Sequence, residues 1–196
     1  MIRLAVVGDI GSGKSHVAKQ FGYPVFNADG EVSKLYKKSR KCYVKLKKVL
    51  PNYITSFPIK KSKLSKAVVS NKNNLKKIIK IIHPEIRKKI NNFIKKNKNK
   101  KIVILDIPLI MENKINRKSD IIIFVDAKKK EIDKRLKKRP NFNTKIIKSL
   151  RKLQLSVEKK KKQSDFVVKN NFKSKPIKKS VKIILKKILL DVRNNT

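Results

Sequence analysis

Cysteine is nearly absent from the sequence, since Cys42 stands alone among 196 residues. A single cysteine excludes a disulfide framework and the paired spacings of zinc sites. No apolar run approaches the roughly 18 residues that a membrane-spanning helix needs, so we expect no membrane span. An apolar, strand-like run begins at the second residue, so we expect no signal peptide and a cytoplasmic protein.

Acidic residues are scarce too: 13 Asp and Glu stand against 55 Lys and Arg, a formal net charge of +42. Such a charge is typical of nucleic-acid or anionic-membrane partners, but codon bias that inflates Lys, Asn and Ile together also produces it. Only eight of the 55 basic residues are arginine, the residue whose planar fork suits specific phosphate and base recognition. Because lysine dominates along the whole chain, we favour codon bias and expect no specific nucleic-acid partner.

Glycine is also rare, and three of the five glycines lie in one stretch that fits G-x-x-x-x-G-K-[ST]. The apolar run 2–7 before it predicts a buried strand, and the residues after it can continue as a helix. In that setting glycines turn backbone N–H groups toward phosphate oxygens, and the helix start adds its positive dipole end. We interpret the stretch as a phosphate-binding loop, with a chance match as the alternative. It consists of Gly8, Asp9, Ile10, Gly11, Ser12, Gly13, Lys14 and Ser15.

Two side chains of this loop have predicted contacts of their own. The ammonium group of Lys14 would contact the β and γ phosphates of a nucleotide, and the hydroxyl group of Ser15 would bind Mg²⁺. The sequence therefore predicts ATP and Mg²⁺ as cofactors.

Strand-like and helical stretches alternate along the chain, which predicts an α/β fold with a central parallel sheet. We expect His83 and Pro84 to break a helix, because proline disfavours helix at the residue before it. Predicted strands span 2–7, 24–26, 102–105, 121–125 and 166–168. Predicted helices span 14–21, about 30–38, about 41–50, the two sides of His83-Pro84 within 62–97, about 128–138, a long Lys-rich stretch after Thr144 to about 162, and a last stretch from Pro176.

Carboxylates follow two of the predicted strands, where open parallel sheets bind their ligands. A kinase that phosphorylates a hydroxyl needs a carboxylate to orient that hydroxyl and accept its proton. We assign this role to Asp29, with a helix N-cap as the alternative. We link Asp106 to the metal ion, with a turn residue at the strand end as the alternative.

Arg135 and Arg139 lie four residues apart, on one face of a predicted helix. Cations that approach a transferring phosphoryl group stabilise its charge. We therefore predict that this pair belongs to a lid that covers the nucleotide. A solvated basic helix is the alternative in a chain so rich in lysine.

The sequence resembles the dephospho-CoA kinase family over nearly its whole length. The family's GGIGSGKS-type loop is matched by 8–15, its V-I-D-A-D stretch by 25–29, and its D-I-P-L-L-x-E stretch by 106–112. The loop alone is shared by countless enzymes, whereas the 106–112 stretch and the order of the further matches are specific. Those further matches are His83 with Pro84, Arg135 with Arg139, and the series Gln154, Lys160, Asp165 and Asn170.

The resemblance implies transfer of the ATP γ-phosphoryl group to the ribose 3′-hydroxyl of dephospho-CoA, which yields coenzyme A and ADP. It implies that Asp29 is the base, with Lys14 and Arg139 as catalytic cations. For His83 a structural hydrogen bond stays open as the alternative. The implied ATP site adds His16, Arg135, Arg139 and Asn170 to the loop, and the implied acceptor pocket contains Asp29, His83, Pro108, Leu109 and Glu112.

The implied architecture is a three-layer phosphate-loop kinase fold with a helical acceptor-binding insertion and a lid. We expect a monomer with a single domain over 1–196. Its core would span about 1–29, 100–134 and 163–196, with the acceptor-binding region at about 30–99 and the lid at about 135–162.

Several positions depart from the family pattern. Asp9 takes the place of a glycine and puts a negative charge near the phosphates, and Asn27 takes the place of a carboxylate. The others are His16 for Thr, Lys61 for Arg, Ile132 for Gln and Phe172 for Gly.

Two rival functions remain. One is another small phosphate-loop kinase that acts on a nucleoside or nucleotide. The other is a basic RNA-associated protein, which would need arginine clusters or aromatic-studded strands that the sequence lacks.

Overall fold

The structure is a computed structural model that describes residues 1–139 and 142–194. Pro140 and Asn141, which fall in the predicted lid, lie outside the described residues, as do the last two residues of the predicted core. The chain divides into two compact units. Unit 1 contains Met1–Phe26, Asn97–Phe142 and Leu153–Thr196, and unit 2 contains Asn27–Lys96 and Asn143–Lys152.

The central sheet has five strands among the described residues, in the order β2-β3-β1-β4-β5. Its middle strand, β1, pairs in parallel with β3 and with β4, and β4 pairs in parallel with β5. The predicted α/β fold with a central parallel sheet is confirmed. The strands are β1 (Ile2–Gly8), β2 (Val25–Asn27), β3 (Ile102–Asp106), β4 (Ile121–Asp126) and β5 (Phe166–Lys169).

The core of unit 1 lies on both faces of this sheet. On one face, Leu4 and Val6 of β1 join the apolar sides of α1 (Lys14–Gln20) and α9 (Ser174–Asn194). The alternate residue between them, Ala5, is buried as well. Strands covered on both sides carry continuous apolar runs. Each fully buried aliphatic side chain contributes about 1.5–3 kcal/mol to the stability of the folded state. The buried apolar runs therefore stabilise the sheet.

Unit 1 also contains α6 (Lys129–Lys137) and α8 (Val157–Lys162), and α8 packs against β1. The long Lys-rich helix predicted to reach about residue 162 is wrong, because α7 (Thr144–Arg151) ends before α8 begins. Two capping residues start two helices there: Asn143 Oδ1 accepts from Ile146 N at 3.1 Å, and Ser156 Oγ accepts from Lys159 N at 3.2 Å.

Unit 2 is helical. Its helices α2, α3 and α4 pack against the long helix α5, and α7 packs against α4. They are α2 (Ala28–Lys38), α3 (Arg40–Val49), α4 (Lys61–Ser70) and α5 (Lys72–Lys96), with α7 from the later part of the chain.

The predicted helix break at His83 and Pro84 is wrong, because α5 continues through both residues. Proline in a helix interior costs about 3 kcal/mol, since it lacks the N–H that would bond to the carbonyl four residues earlier. Apolar side chains four residues apart outweigh this cost, each by about 1.5–3 kcal/mol when fully buried. The buried stripe consists of Ile78, Ile82, Ile86 and Ile90.

No helix in the described part of the chain combines the length and the apolar character needed to cross a membrane.

Candidate active site

The phosphate loop connects β1 to α1 in unit 1, and its shape requires glycine. Gly13 caps α1 with a φ of 91°, in the left-handed region that glycine tolerates best. A β-carbon at Gly13 would also collide with the Nδ2 atom of Asn170. At Gly11, a β-carbon would lie 3.0 Å from Leu136 Cγ and 3.1 Å from Ile132 Cγ2. The loop is therefore packed closely between α6 and the segment that follows β5.

Lys14 folds back over this loop. Its Nζ atom donates to Asp9 O at 2.8 Å and to Gly8 O at 3.3 Å. The ammonium group is thus held beside the backbone that would surround a phosphate. Ser15 and His16, the next two residues of α1, are exposed.

Asp9 directs its charge into the loop itself. Its Oδ1 atom accepts from Ile10 N at 2.6 Å, and its backbone oxygen accepts from Ser12 N at 3.1 Å. The carboxylate thus occupies an N–H group that a phosphate oxygen could otherwise use. Ser12 is fully buried, and its Oγ atom has no hydrogen-bond partner within the described residues.

Asn170 ties the loop to the ends of two strands. This residue follows β5 and is 4% exposed. Its backbone N–H donates to Asp126 O at 2.6 Å, at the end of β4. Its side-chain Nδ2 donates to Ser12 O at 2.7 Å, and its Oδ1 accepts from Phe172 N at 2.7 Å. The sequence assigned Asn170 only by resemblance, and the structure places it directly against the phosphate loop.

Arg135 lies on α6, with its guanidinium carbon 4.4 Å from the centroid of the Phe172 ring. Arg139 lies beyond Lys137, the last residue of α6, so the prediction that the two arginines share a helical face is wrong. The helix ends in a turn in which Arg139 N donates to Leu136 O at 3.0 Å, which replaces the next helical bond.

Asp106 ends β3 and is 3% exposed, and Pro108 and Leu109 follow in a turn where both are half-buried. Asp106 is therefore at the carboxyl edge of the sheet, as predicted from its place after an apolar run. The second acid of the 106–112 stretch is Glu112, and its carboxylate contacts other residues of unit 1.

Glu112 is the partner of a buried lysine. Its Oε1 atom lies 3.2 Å from Lys160 Nζ and accepts from Leu155 N at 2.9 Å. Lys160 is 2% exposed and also donates to Gln154 Oε1 at 3.0 Å. The sequence placed Gln154 and Lys160 in an ordered series but did not predict this pairing. Removal of one partner from a buried ion pair typically costs about 3–5 kcal/mol.

In unit 2, Asp29 is the second residue of α2 and is exposed. Asn27 caps this helix, since its Oδ1 atom accepts from Gly30 N at 2.6 Å. The N-cap alternative for Asp29 is therefore wrong: Asp29 lies in the first turn, where a carboxylate is stabilised by the helix dipole. Asn27, which departs from the family pattern, has a structural role as the cap.

Glu31 is the second carboxylate in the first turn of α2. Its hydrogen bonds to Lys34, at 2.6 Å, and to Lys89, at 2.8 Å, hold the pKa of Glu31 below its usual value. Glu31 thus links α2 to α5 through Lys89. Its neighbour Asp29 is the carboxylate of this turn that was predicted to act as a base.

His83 lies in the interior of α5 and is half-buried. Burial lowers the pKa of its imidazole, and the positive charge of Arg87, one turn further on, lowers that pKa again. The neutral form of His83 is therefore favoured. The predicted break at Pro84 does not occur here, so His83 projects from a continuous helix.

The described residues contain no group of three or more His, Cys, Asp and Glu side chains that could hold a metal ion. Mg²⁺ at a nucleotide site usually takes only one or two protein oxygen ligands, with phosphates and water supplying the rest. The hydroxyl of Ser15 and the carboxylate of Asp106 are oxygen donors of this kind.

The family model and the curated relatives both identify the family of this chain. A family model described as dephospho-CoA kinase matches residues 2–175. The dephospho-CoA kinase of Wolbachia pipientis wMel is 31% identical over 193 residues, which cover 96% of this chain and 98% of the relative. The crystal structure of TT1252 from Thermus thermophilus is 25% identical, covers 97% of each chain and gives a TM-score of 0.74. The dephospho-CoA kinase from Campylobacter jejuni, 22% identical, shares the fold with a TM-score of 0.63 over 95% of this chain and 96% of its own.

Proposed function

This chain belongs to the dephospho-CoA kinase family, and on that premise we propose that it transfers the γ-phosphoryl group of ATP to the ribose 3′-hydroxyl of dephospho-CoA. The products are coenzyme A and ADP. The observation that carries the proposal is the family match over most of the chain, in which the glycine loop has the strand–loop–helix geometry of a phosphate site.

We propose that the loop binds the ATP phosphates through its backbone N–H groups. Lys14 would exchange its bonds with the carbonyls of Gly8 and Asp9 for bonds with the β and γ phosphates. Contacts that strengthen as charge moves in the transition state are typically worth about 3–4 kcal/mol. Arg139 is assigned to the same developing charge, as predicted from the resemblance, and His16 to the nucleotide.

A magnesium ion would be held by Ser15 directly and by Asp106 directly or through water. When bound, the ion would offset negative charge on the β and γ phosphates as the bond between the γ phosphorus and the bridging oxygen breaks. Both residues belong to unit 1, at the start of α1 and the end of β3.

We propose that Asp29 orients the acceptor hydroxyl and takes its proton. The cap at Asn27 fixes the first turn of α2 and thereby the backbone that carries Asp29. His83, Pro108 and Leu109 remain assigned to the acceptor. Glu112 would act indirectly, because its carboxylate is already paired with Lys160 and would stabilise the segment that carries Pro108 and Leu109.

The predicted lid at 135–162, the single-domain organisation and the monomeric, cytoplasmic state without a specific nucleic-acid partner remain predictions. Asn170 is assigned to the nucleotide through its bond to the loop at Ser12.

The test is ADP release measured with ATP alone and with ATP plus dephospho-CoA. We expect turnover that depends on dephospho-CoA and yields the 3′-phosphorylated product, confirmed by mass spectrometry. Adenosine and deoxyadenosine serve as competing acceptors. Faster turnover with either nucleoside than with dephospho-CoA would reject the proposal in favour of a nucleoside kinase.

A further inference from the structure

Phe172 adopts a backbone conformation that residues with a side chain rarely adopt. Its φ is 62°, and among the described residues Lys114 is the one other non-glycine residue with a positive φ, at 50°. A left-handed backbone at a bulky residue is strained and persists when its surroundings hold it. Some contact must therefore hold Phe172 in this conformation, and strain of this kind is often found where a residue has a function.

The restraint is Asn170. Its Oδ1 atom accepts from Phe172 N at 2.7 Å, and its Nδ2 atom donates to Ser12 O at 2.7 Å. Since Asn170 is 4% exposed, the strained turn is anchored to the phosphate loop from inside the protein.

The aromatic ring of Phe172 lies between the loop and Arg135. A β-carbon at Gly13 would be 3.5 Å from the Cε1 atom of the ring, so the ring reaches the last glycine of the loop. The guanidinium carbon of Arg135 lies 4.4 Å from the ring centroid, within the range of a cation–π contact. Without this ring, Arg135 would extend from an exposed position on α6.

We propose that Phe172 is a positioning residue that holds Arg135 beside the phosphate loop before ATP binds. This inference rests on the proposed function, in which Arg135 contacts the nucleotide. A long arginine side chain loses conformational freedom when it binds a ligand, and a contact that restricts it beforehand reduces this loss. Phe172, which stands where the family pattern has glycine, would thus hold the guanidinium group of Arg135 in place near the loop.

The substitution that tests this is Phe172→Gly, because glycine removes the ring and relieves the positive φ at once. We expect the thermal midpoint to stay the same or rise. We expect the Kd of ATP, measured by calorimetry, and the KM for ATP to increase about 2- to 5-fold, the range of an exposed cation–π contact. The KM for dephospho-CoA should not change. A purely structural role for Phe172 would leave the ATP constants unchanged.

Three further variants complete the test. Lys114→Gly relieves the other positive φ, which lies outside the 8–15 stretch of the sequence, and should leave ATP affinity unchanged. Phe172→Tyr keeps an aromatic face and should restore ATP affinity. In an Arg135→Ala background, Phe172→Gly should add nothing, since the two residues act through one contact.

Unchanged ATP affinity in a folded Phe172→Gly protein would overturn the inference, and so would a tighter Kd, which would mean that the ring holds Arg135 away from the nucleotide. The inference would also be overturned if Phe172→Gly weakened ATP binding as much in the Arg135→Ala background as in the otherwise unaltered protein. None of these results would touch the kinase assignment, which depends on phosphorylation of dephospho-CoA by the unaltered protein.

Discussion

The phosphate loop of unit 1 and the start of α2 in unit 2 carry the two main parts of the proposed chemistry, and they are held in different ways. The loop depends on distant residues: Ser12 accepts a hydrogen bond from Asn170, 158 residues later. The start of α2 depends on a neighbour, since Asn27 caps the helix at Gly30, three residues away. The geometry of the loop thus requires a folded unit, whereas the turn that carries Asp29 is set locally.

The largest expected effect separates the chemistry of the two regions. Asp29→Asn keeps the shape of the side chain but cannot take up a proton, so kcat should fall about 10²- to 10⁴-fold. The Kd of ATP should stay the same, because the substitution leaves unit 1 intact. The matched control is Glu31→Gln in the same helical turn, which should keep its kcat. A loss of less than about tenfold for Asp29→Asn would contradict the assignment of Asp29 as the base.

Lys14→Ala tests the other region. We expect kcat/KM to fall about 10²- to 10³-fold, because a contact to developing charge is worth about 3–4 kcal/mol. ATP binding should weaken as well, in contrast to Asp29→Asn. Lys19→Ala, an exposed lysine in the same helix, is the control and should behave like the unaltered protein. An active, folded Lys14→Ala protein would show that the loop is not the phosphate site.

The free energy of unfolding should distinguish the loop, which a distant residue holds, from the start of α2, which a neighbouring residue caps. Asn170→Ala removes one buried and one partly buried side-chain hydrogen bond and leaves Ser12 O and Phe172 N without these partners, so the free energy of unfolding should fall by about 2–4 kcal/mol. Asn27→Ala removes one local cap and should cost about 1 kcal/mol. Urea denaturation of the two variants measures the difference, and a larger loss for Asn27→Ala would reverse the comparison.

The smallest expected effect is a pH dependence in unit 2. Burial lowers the pKa of His83 in the folded protein, so the unfolded chain takes up a proton first as the pH falls below its usual value of 6.5. Stability from this residue is complete above pH 6.5 and decreases between that pH and the lower folded pKa. His83→Gln should therefore lose less of its thermal midpoint between pH 7.5 and 5.5 than the unaltered protein. Equal losses in both proteins would contradict this.

The strands were predictable because short, continuous apolar runs are typical of strands buried on both faces of a parallel sheet. The sequence placed β1 at 2–7 and β4 at 121–125, and each strand extends one residue beyond its predicted end. The errors concern helix ends, where tertiary contacts decide. Local propensity could not show that α5 continues through Pro84, because the outcome depends on helices packed against its apolar stripe.

The candidate site was predictable where a motif is contiguous and less so where residues meet across the chain. The loop at 8–15 follows from spacing alone. The hydrogen bond from Asn170 to Ser12 could not be predicted in this way, because the local sequence around either residue does not indicate contact with the other. For Lys160 the family pattern singled out the residue but not its burial, because it lies in the run 159–162, where four lysines look alike and only packing shows which one is buried.

The burial of Lys160 also makes it a chemical reporter. Among the lysines whose side chains the structure describes, it is the one that is buried. An amine-acylating reagent should therefore modify many surface lysines of the folded protein and spare Lys160 until the segment around it opens. The rate at which mass spectrometry detects the label at Lys160 would then measure the opening of unit 1, after the exposed lysines have already been modified.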